Sequence, residues 1–392
     1  MMHCSSPPDQ SALPRFRNAA VCQSDRPALF LLLPVMLLGL LLSAPLRAQI
    51  EPEELTVETM SPPGSNWFIA KTGNGGYIWD GETGEMQGLV SLSRRTPAVV
   101  SYAPRREFYA AESYMSRAVH GERTDIVAVY DFENLSPVAE VVLPNRMARL
   151  GVRNHLGLLN SGRYLVLLNM NPGQSVSVVD VEDRVFVGEI STPGCAILMP
   201  VAENDFLMTC GDGTLQLIQL GDDGSEQNRE RSAVFFDVQE DAIFDRTART
   251  ADGWLLISHD GVVYEVSTDD DDIVISEGWS IVPEEDDGWR PGGGEFVSVH
   301  QATGLLYVAM HEGPEDTHHK AGTEVWVVNL NTQRRVARIE MEEAVRSLMV
   351  TQEDNPLLVV ATTEGSTEIH DAFTFRHQRS LDAPGASMFE DF

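Results

Sequence analysis

Cysteine, basic charge and long apolar runs are all scarce in this chain, and each scarcity removes a class of answer. Only four of the 392 residues are cysteine, too few for a disulfide-dense scaffold or a cysteine-rich zinc protein. The 28 Lys and Arg stand against 59 Asp and Glu, a formal charge of −31. No basic cluster interrupts that acidity, so nucleic acid is not an expected partner. A GxSxG elbow, a Walker loop and a dinucleotide fingerprint in its strand-and-helix context are also missing. No stretch asks for a helix longer than a turn or two, and Glu342 to Met349 carries apolar spacings that a strand explains as well.

The one long apolar run is at the start. Ala28 to Leu42 is uncharged, follows Arg15, Arg17 and Arg26, and precedes the small residues up to Ala48. It is short for a membrane span and fits the core of a secretory signal. Residues 1–48 are therefore expected to be removed after Ala48, leaving one domain over 49–392 with no membrane segment. An uncleaved anchor and a downstream start codon are the alternatives. Cys4 and Cys22 would leave with the signal, so the exported chain keeps Cys195 and Cys210. A pair alone in an oxidising compartment is expected to be bridged, adding roughly 3 kcal/mol, with two buried thiols as the alternative.

The rest of the chain repeats itself. A short strand with markers at Tyr77, Ile126, Val176, Leu215, Val263, Val325 and Glu368 recurs at spacings of 39 to 62 residues. Before most of these stands a pair of runs broken by a polar turn, as in LGLLNSGRYLVLLN, and after most a turn and an outer strand, as in FVGEIS. Two inner strands, a third and an outer fourth at this period describe blades around an axis. The expected fold is all-β, a seven-bladed β-propeller of four-stranded antiparallel blades. The first blade lacks an inner strand, which the tail from Ala386 to Phe392 either supplies or leaves missing by fraying. The longest interval holds the acidic run Asp269 to Asp272, the segment Glu284 to Gly294 and the loop Glu312 to Gly322. Insertions of this kind map to loops on one face of a repeat protein.

Little in the sequence looks catalytic by itself. His300 and His311 on adjacent strands, and His318 and His319 in the loop, have no equivalents in other repeats, so satisfied or exposed histidines are expected rather than metal ligands. Asp269 to Asp272 lacks the alternating ligand pattern of a calcium loop. On the residues alone this is an exported propeller without a self-sufficient active site.

Longer motifs carry a resemblance. Arg117 to Asp125 with the strand ending Tyr130-Asp131 and Pro137, Val179-Asp180, Pro193 to Cys195 with Phe206 to Gly213, and Asp287 to Gly293 resemble the large subunit of the quinoprotein amine dehydrogenases, the methylamine and aromatic amine dehydrogenases. The resemblance covers residues 66 to 385. It implies a periplasmic seven-bladed propeller with a Cys195–Cys210 disulfide, and a two-plus-two heterotetramer with a small subunit. That subunit carries the tryptophan tryptophylquinone and the catalytic Asp. A primary amine would be oxidised to aldehyde and ammonia, with electrons passing to a cupredoxin such as amicyanin or azurin. This chain would then hold no catalytic, cofactor or metal residue, and would supply a docking face and part of the substrate channel.

Family members place an aromatic at the channel mouth. The corresponding stretch here, Ser93 to Pro97, has Arg94, Arg95 and Thr96 instead. Cationic side chains there disfavour a protonated amine, unless the alignment has slipped and the arginines face water. Trp289 and Arg290 are residue types enriched at interface hot spots and form a possible partner face, with Trp289 as a plug between blades the plainer reading. The rival to this whole picture is a stand-alone periplasmic propeller, either a binding module or a lactonase-like hydrolase.

Overall fold

A computed structural model of the chain describes residues 59–392 apart from 74, 94, 95, 97, 271 and 382–384. The signal segment and its Ala48 boundary lie outside the described residues.

One turn recurs along the chain and sets its rhythm. Asp80, Asp131, Asp180, Asn329 and Asp371 each end a third strand, and the Oδ1 of each accepts a main-chain N–H from the turn that follows. Four residues after each stands a left-handed residue: Gly84, Leu135, Arg184, Gln333 and Phe375, with φ of 79°, 51°, 57°, 52° and 62°. A short acceptor side chain closes such a turn, and the left-handed residue swings the chain back as the outer strand. Only one of the five is glycine, so the side-chain acceptor and the flanking ladders hold the other four in a conformation that costs energy.

Between these turns the described residues form an all-β propeller of four-stranded antiparallel blades, with only three 3-10 turns of three residues each. The clearest blades are Val99–Tyr102, Glu107–Arg117, His120–Asp131 and Pro137–Leu143, and Cys195–Pro200, Asp205–Cys210, Leu215–Leu220 and Glu226–Arg231. The middle strand Ser175–Asp180 is buried throughout, while the outer strand Glu226–Arg231 is exposed along its length. Buried Val, Leu, Ile and aromatic side chains from facing blades make the core.

The seven separate sheets expected from the sequence are not what the hydrogen bonds draw. Among the described residues there are six, one of them eight-stranded. The cause is Arg334–Val350, a strand of 17 residues. Its first part pairs with Gly322–Asn329 and its second with Leu357–Thr362, so Val345 faces both Gly322 and Thr362. No glycine or proline interrupts it, and an outer strand runs on into the next inner one. Glu342 to Met349, the ambiguous stretch, is thus strand.

The first and last strands of the described residues meet in one sheet. Met388–Asp391 pairs antiparallel with Trp67–Thr72, placing Phe389 opposite Ala70. Phe389 is fully buried and sits edge-on to Phe68, ring centroids 5.7 Å apart. The tail therefore supplies the missing inner strand, which removes the exposed edge that the short first blade would leave.

Candidate functional site

Strand direction sorts every described candidate residue onto one end of the propeller. Second and third strands join through hairpins at that end, and each outer strand hands over to the next inner strand there. Cys195 and Cys210 face each other across a hairpin and are bridged, Cα atoms 4.0 Å apart. Leu150, Met170, Phe236 and Ile243 form an apolar groove of about 320 Å³ beside this bridge. Leu150 and Met170 are half exposed, as are Tyr114 and Val119 on the long neighbouring hairpin.

The loop after the first blade reaches the same end. Arg94 and Arg95 lie outside the described residues. Thr96 is buried and donates from its hydroxyl to the Ser93 carbonyl at 2.8 Å. Ser93 in turn donates from its N–H to Oε1 of the fully buried Glu112 at 2.9 Å, and from its hydroxyl to the Ser113 carbonyl at 2.7 Å. Tyr114 and Tyr130 also donate to Glu112. A buried carboxylate persists only with such donors, so the base of this loop is fixed. Glu112 was not legible as important, because one glutamate in a β-rich run carries no signal.

Trp289 and Arg290 open the sixth repeat. Trp289 lies 5.5 Å from the fully buried Trp326, centroid to centroid. Arg338 covers both rings at 4.6 and 5.0 Å, and Arg335 covers Trp326 at 4.2 Å. These guanidiniums are paired with Glu324 and Asp286 at 2.6 to 2.9 Å. A cation held over an indole face by carboxylates is stabilised twice, by the ring quadrupole and by charge. Arg290 pairs with Asp260. The three candidate groups thus share an end of the molecule but stand in different blades.

The axis holds a second assembly. Seven innermost strands, two of them from the eight-stranded sheet, and Trp254 from a strand behind them line one cavity of about 210 Å³, and Arg153, Asn154, Arg249, Gln352, Glu390 and Asp391 supply its polar wall. Glu390 and Arg153 pair at 3.5 Å. Burial pushes the Glu390 carboxyl up to about 8 and Asp391 up to about 6, against the pull of Arg153. Glu295 rises for the same reason, opposed by Arg153 and Arg246. These acids come from the tail and from a loop, which the repeat pattern does not flag.

His300 is satisfied, with Thr303 at 2.8 Å and the Glu353 carbonyl at 3.0 Å, and His311 meets Thr317 at 2.9 Å. His318 stacks on His259, centroids 4.2 Å apart, a neighbour that sequence distance hides, and lies tilted against His319 at 3.9 Å. Burial, then the neighbouring imidazole, lowers His259 and His318. Asp269 faces Asp272 across a tight turn. Among the described residues no three His, Cys, Asp or Glu side chains converge as metal ligands.

Comparison with known proteins follows this geometry. The family model described as methylamine dehydrogenase heavy chain matches residues 64–388. The methylamine dehydrogenase heavy chain of Methylobacillus flagellatus is 26% identical over 304 residues, 76% of this chain and 74% of that one. The Methylorubrum extorquens heavy chain is 25% identical over 318 residues, 79% and 77% of the two chains. Among solved structures, a dihydro-heme d1 dehydrogenase superposes with a TM-score of 0.53 at 16% identity, over 86% of this chain and 77% of that one. A Bacteroides uniformis protein described provisionally as a 6-phosphogluconolactonase superposes with 0.59 at 11%, over 85% and 99%. Likeness at these identities is one of fold alone.

Proposed function

The chain belongs to the methylamine dehydrogenase heavy chain family, and on that premise we propose that it is the large, non-catalytic subunit of a periplasmic amine dehydrogenase. The observation that carries this reading is the match across nearly all of the propeller. Its partner is a small subunit in a two-plus-two assembly, bearing the tryptophan tryptophylquinone that oxidises a primary amine to aldehyde and ammonia. Electrons then go to a cupredoxin of the amicyanin or azurin type. This chain contributes a docking face, and the hairpin end is the candidate, since Tyr114, Val119, Leu150 and Met170 leave apolar surface there. We count seven blades by reading the eight-stranded sheet as two that share Arg334–Val350, which the seven innermost strands around the axial cavity support.

The test is co-expression with a small-subunit gene sought among the neighbouring reading frames. The expected outcome is a stable complex with quinone absorbance and amine-dependent dye reduction, while this chain alone does neither. Turnover of an amine or a lactone by the isolated chain would overturn the proposal.

A further inference from the structure

The loop Glu312 to Gly322 closes on a set of histidines that the proposed role leaves unused. Two hydrogen bonds tie residues 314–321 to the rest of the described chain. The His318 carbonyl accepts the Gly293 N–H at 3.4 Å, and Thr317 Oγ1 lies 2.9 Å from His311 Nε2. Ring packing adds to them: His318 lies over His259 of the preceding repeat at 4.2 Å, and Phe244 stands beside the two rings at 4.5 Å from His259 and 5.9 Å from His318. Both of these side-chain attachments run through imidazole rings.

The bond to His311 suits only one protonation state. The Thr317 hydroxyl gives its hydrogen to the Pro314 carbonyl at 2.6 Å, so His311 donates from Nε2. Its Nδ1 then carries no hydrogen. That atom is buried without a partner against Gly292, where an added Cβ would stand 2.8 Å away. A proton placed there would be an unpaired buried donor on a charged ring, a cost that water relieves. His311 is 2% exposed, and Gly313 and Thr317 of the loop lie against it, so water reaches the ring when the loop lifts.

The stacked pair has the same preference. Two imidazolium rings at 4.2 Å repel one another, and His318 Nδ1 is likewise buried without a partner. Asp241 and Asp316 face His259, Asp316 and Asp245 face His318, and His319 stands close to both rings. Lys320 and Arg290 face His311. Burial is the largest effect on all three; with the neighbouring rings and cations it outweighs the carboxylates and holds each below the ordinary histidine value of 6.5.

A metal ion suits this arrangement poorly, since among the described residues no three ligands converge. We propose that the tip of this loop is an acid-released latch, closed while His259, His311 and His318 are neutral and lifted when they take up protons. Groups that bind protons more tightly in the open state hold the latch fully above the ordinary histidine value and release it as pH falls below. The tip stands at the hairpin end, so its release alters the face offered for docking, but the latch itself rests on this chain alone.

Hydrogen exchange of the purified full chain at pH 7.5 and at 5.5, corrected for the pH dependence of chemical exchange, tests it. One histidine protonated only in the open state raises the opening constant about tenfold for each pH unit below its ordinary value. Peptides over residues 313–321 should therefore lose protection by about tenfold or more at the lower pH, while Ser175–Asp180 holds. The triple variant His259→Phe, His318→Phe, His311→Gln keeps two rings and a donor to Thr317 but cannot titrate at these positions, and its loop should show no such loss. Unchanged protection in the wild type, an equal loss in the triple variant, or a loss spread evenly over the chain would each overturn the proposal. So would Zn²⁺ protecting the wild-type loop at pH 7.5 but not that of the variant, which makes the cluster a metal site. If the triple variant proves unfolded by circular dichroism, His311→Gln alone takes its place; its loss should be smaller than the wild-type loss by about threefold or more, and an equal loss counts against the latch.

Discussion

Phe389→Ala is expected to loosen the ring where its two ends meet. Phe389 is fully buried, sits edge-on to Phe68 and shares a cluster with Met349, Leu357 and Val359. Truncation leaves a cavity walled by two sheets, and neither can close it without moving a strand. Losses at such sites run at about 3–5 kcal/mol. A domain of this size gains roughly 0.7 kcal/mol per kelvin in unfolding entropy, so the melting temperature should fall by about 5 °C. The closing strand has only four residues, so opening there should precede global unfolding. Hydrogen exchange over Phe68 to Lys71, the residues paired with that strand, should accelerate more than exchange in Val99–Tyr102. A melt within about 1 °C of wild type, or uniform exchange, would show that the terminal strand is ornamental and the closure argument mistaken.

Two further outcomes follow from named residues. Reduction, or Cys195→Ser with Cys210→Ser, should lower the urea midpoint by the equivalent of at most about 3 kcal/mol for a link across a separation of 15 residues; reductant should leave the double variant unmoved, and an equal response in both would show that the bridge adds nothing. Glu390, shifted from 4.5 to about 8 by burial, binds a proton more tightly folded than unfolded, so its stabilisation is full below pH 4.5 and lost as pH rises through 8. The ceiling is about 5 kcal/mol; with the side chain 20% exposed and Arg153 at 3.5 Å, about 2 kcal/mol is expected. Glu390→Gln should flatten the decline in melting temperature between pH 6 and 8, and an unchanged slope would assign it to other groups.

The repeat was legible because its cause is local. A polar turn, a β-branched run and an aspartate at the strand end lie within a dozen residues, and Asp80, Asp131, Asp180 and Asp371 each stand within five residues after a marker, Tyr77, Ile126, Val176 and Glu368. The blade count was less legible, since whether Arg334–Val350 breaks depends on hydrogen bonds to two neighbours that composition does not encode. Cys195 and Cys210 were readable for the opposite reason: once the hairpin is drawn, register places them level. Glu112, Glu390 and His259 were invisible. Each matters through partners far along the chain, and nothing in a single glutamate or histidine marks burial. Trp289 was noticed for its type, but its packing against Trp326 and Arg338 was not legible, because both lie far along the chain.

The two ends of the propeller are built under different constraints, and that asymmetry bears on where function sits. At the end where third strands turn into outer ones, five turns repeat one geometry, with an aspartate or asparagine acceptor and a left-handed residue four positions on. A turn so tightly specified tolerates little insertion. At the hairpin end no such rule holds: the disulfide, the long Glu107–Arg117 hairpin and the Glu312 to Gly322 loop all stand there. Half-exposed apolar side chains gather with them, although water disfavours a contiguous apolar patch. Chain length added at one end, while the other is held to a template, is what a scaffold presents when a partner is met from one side.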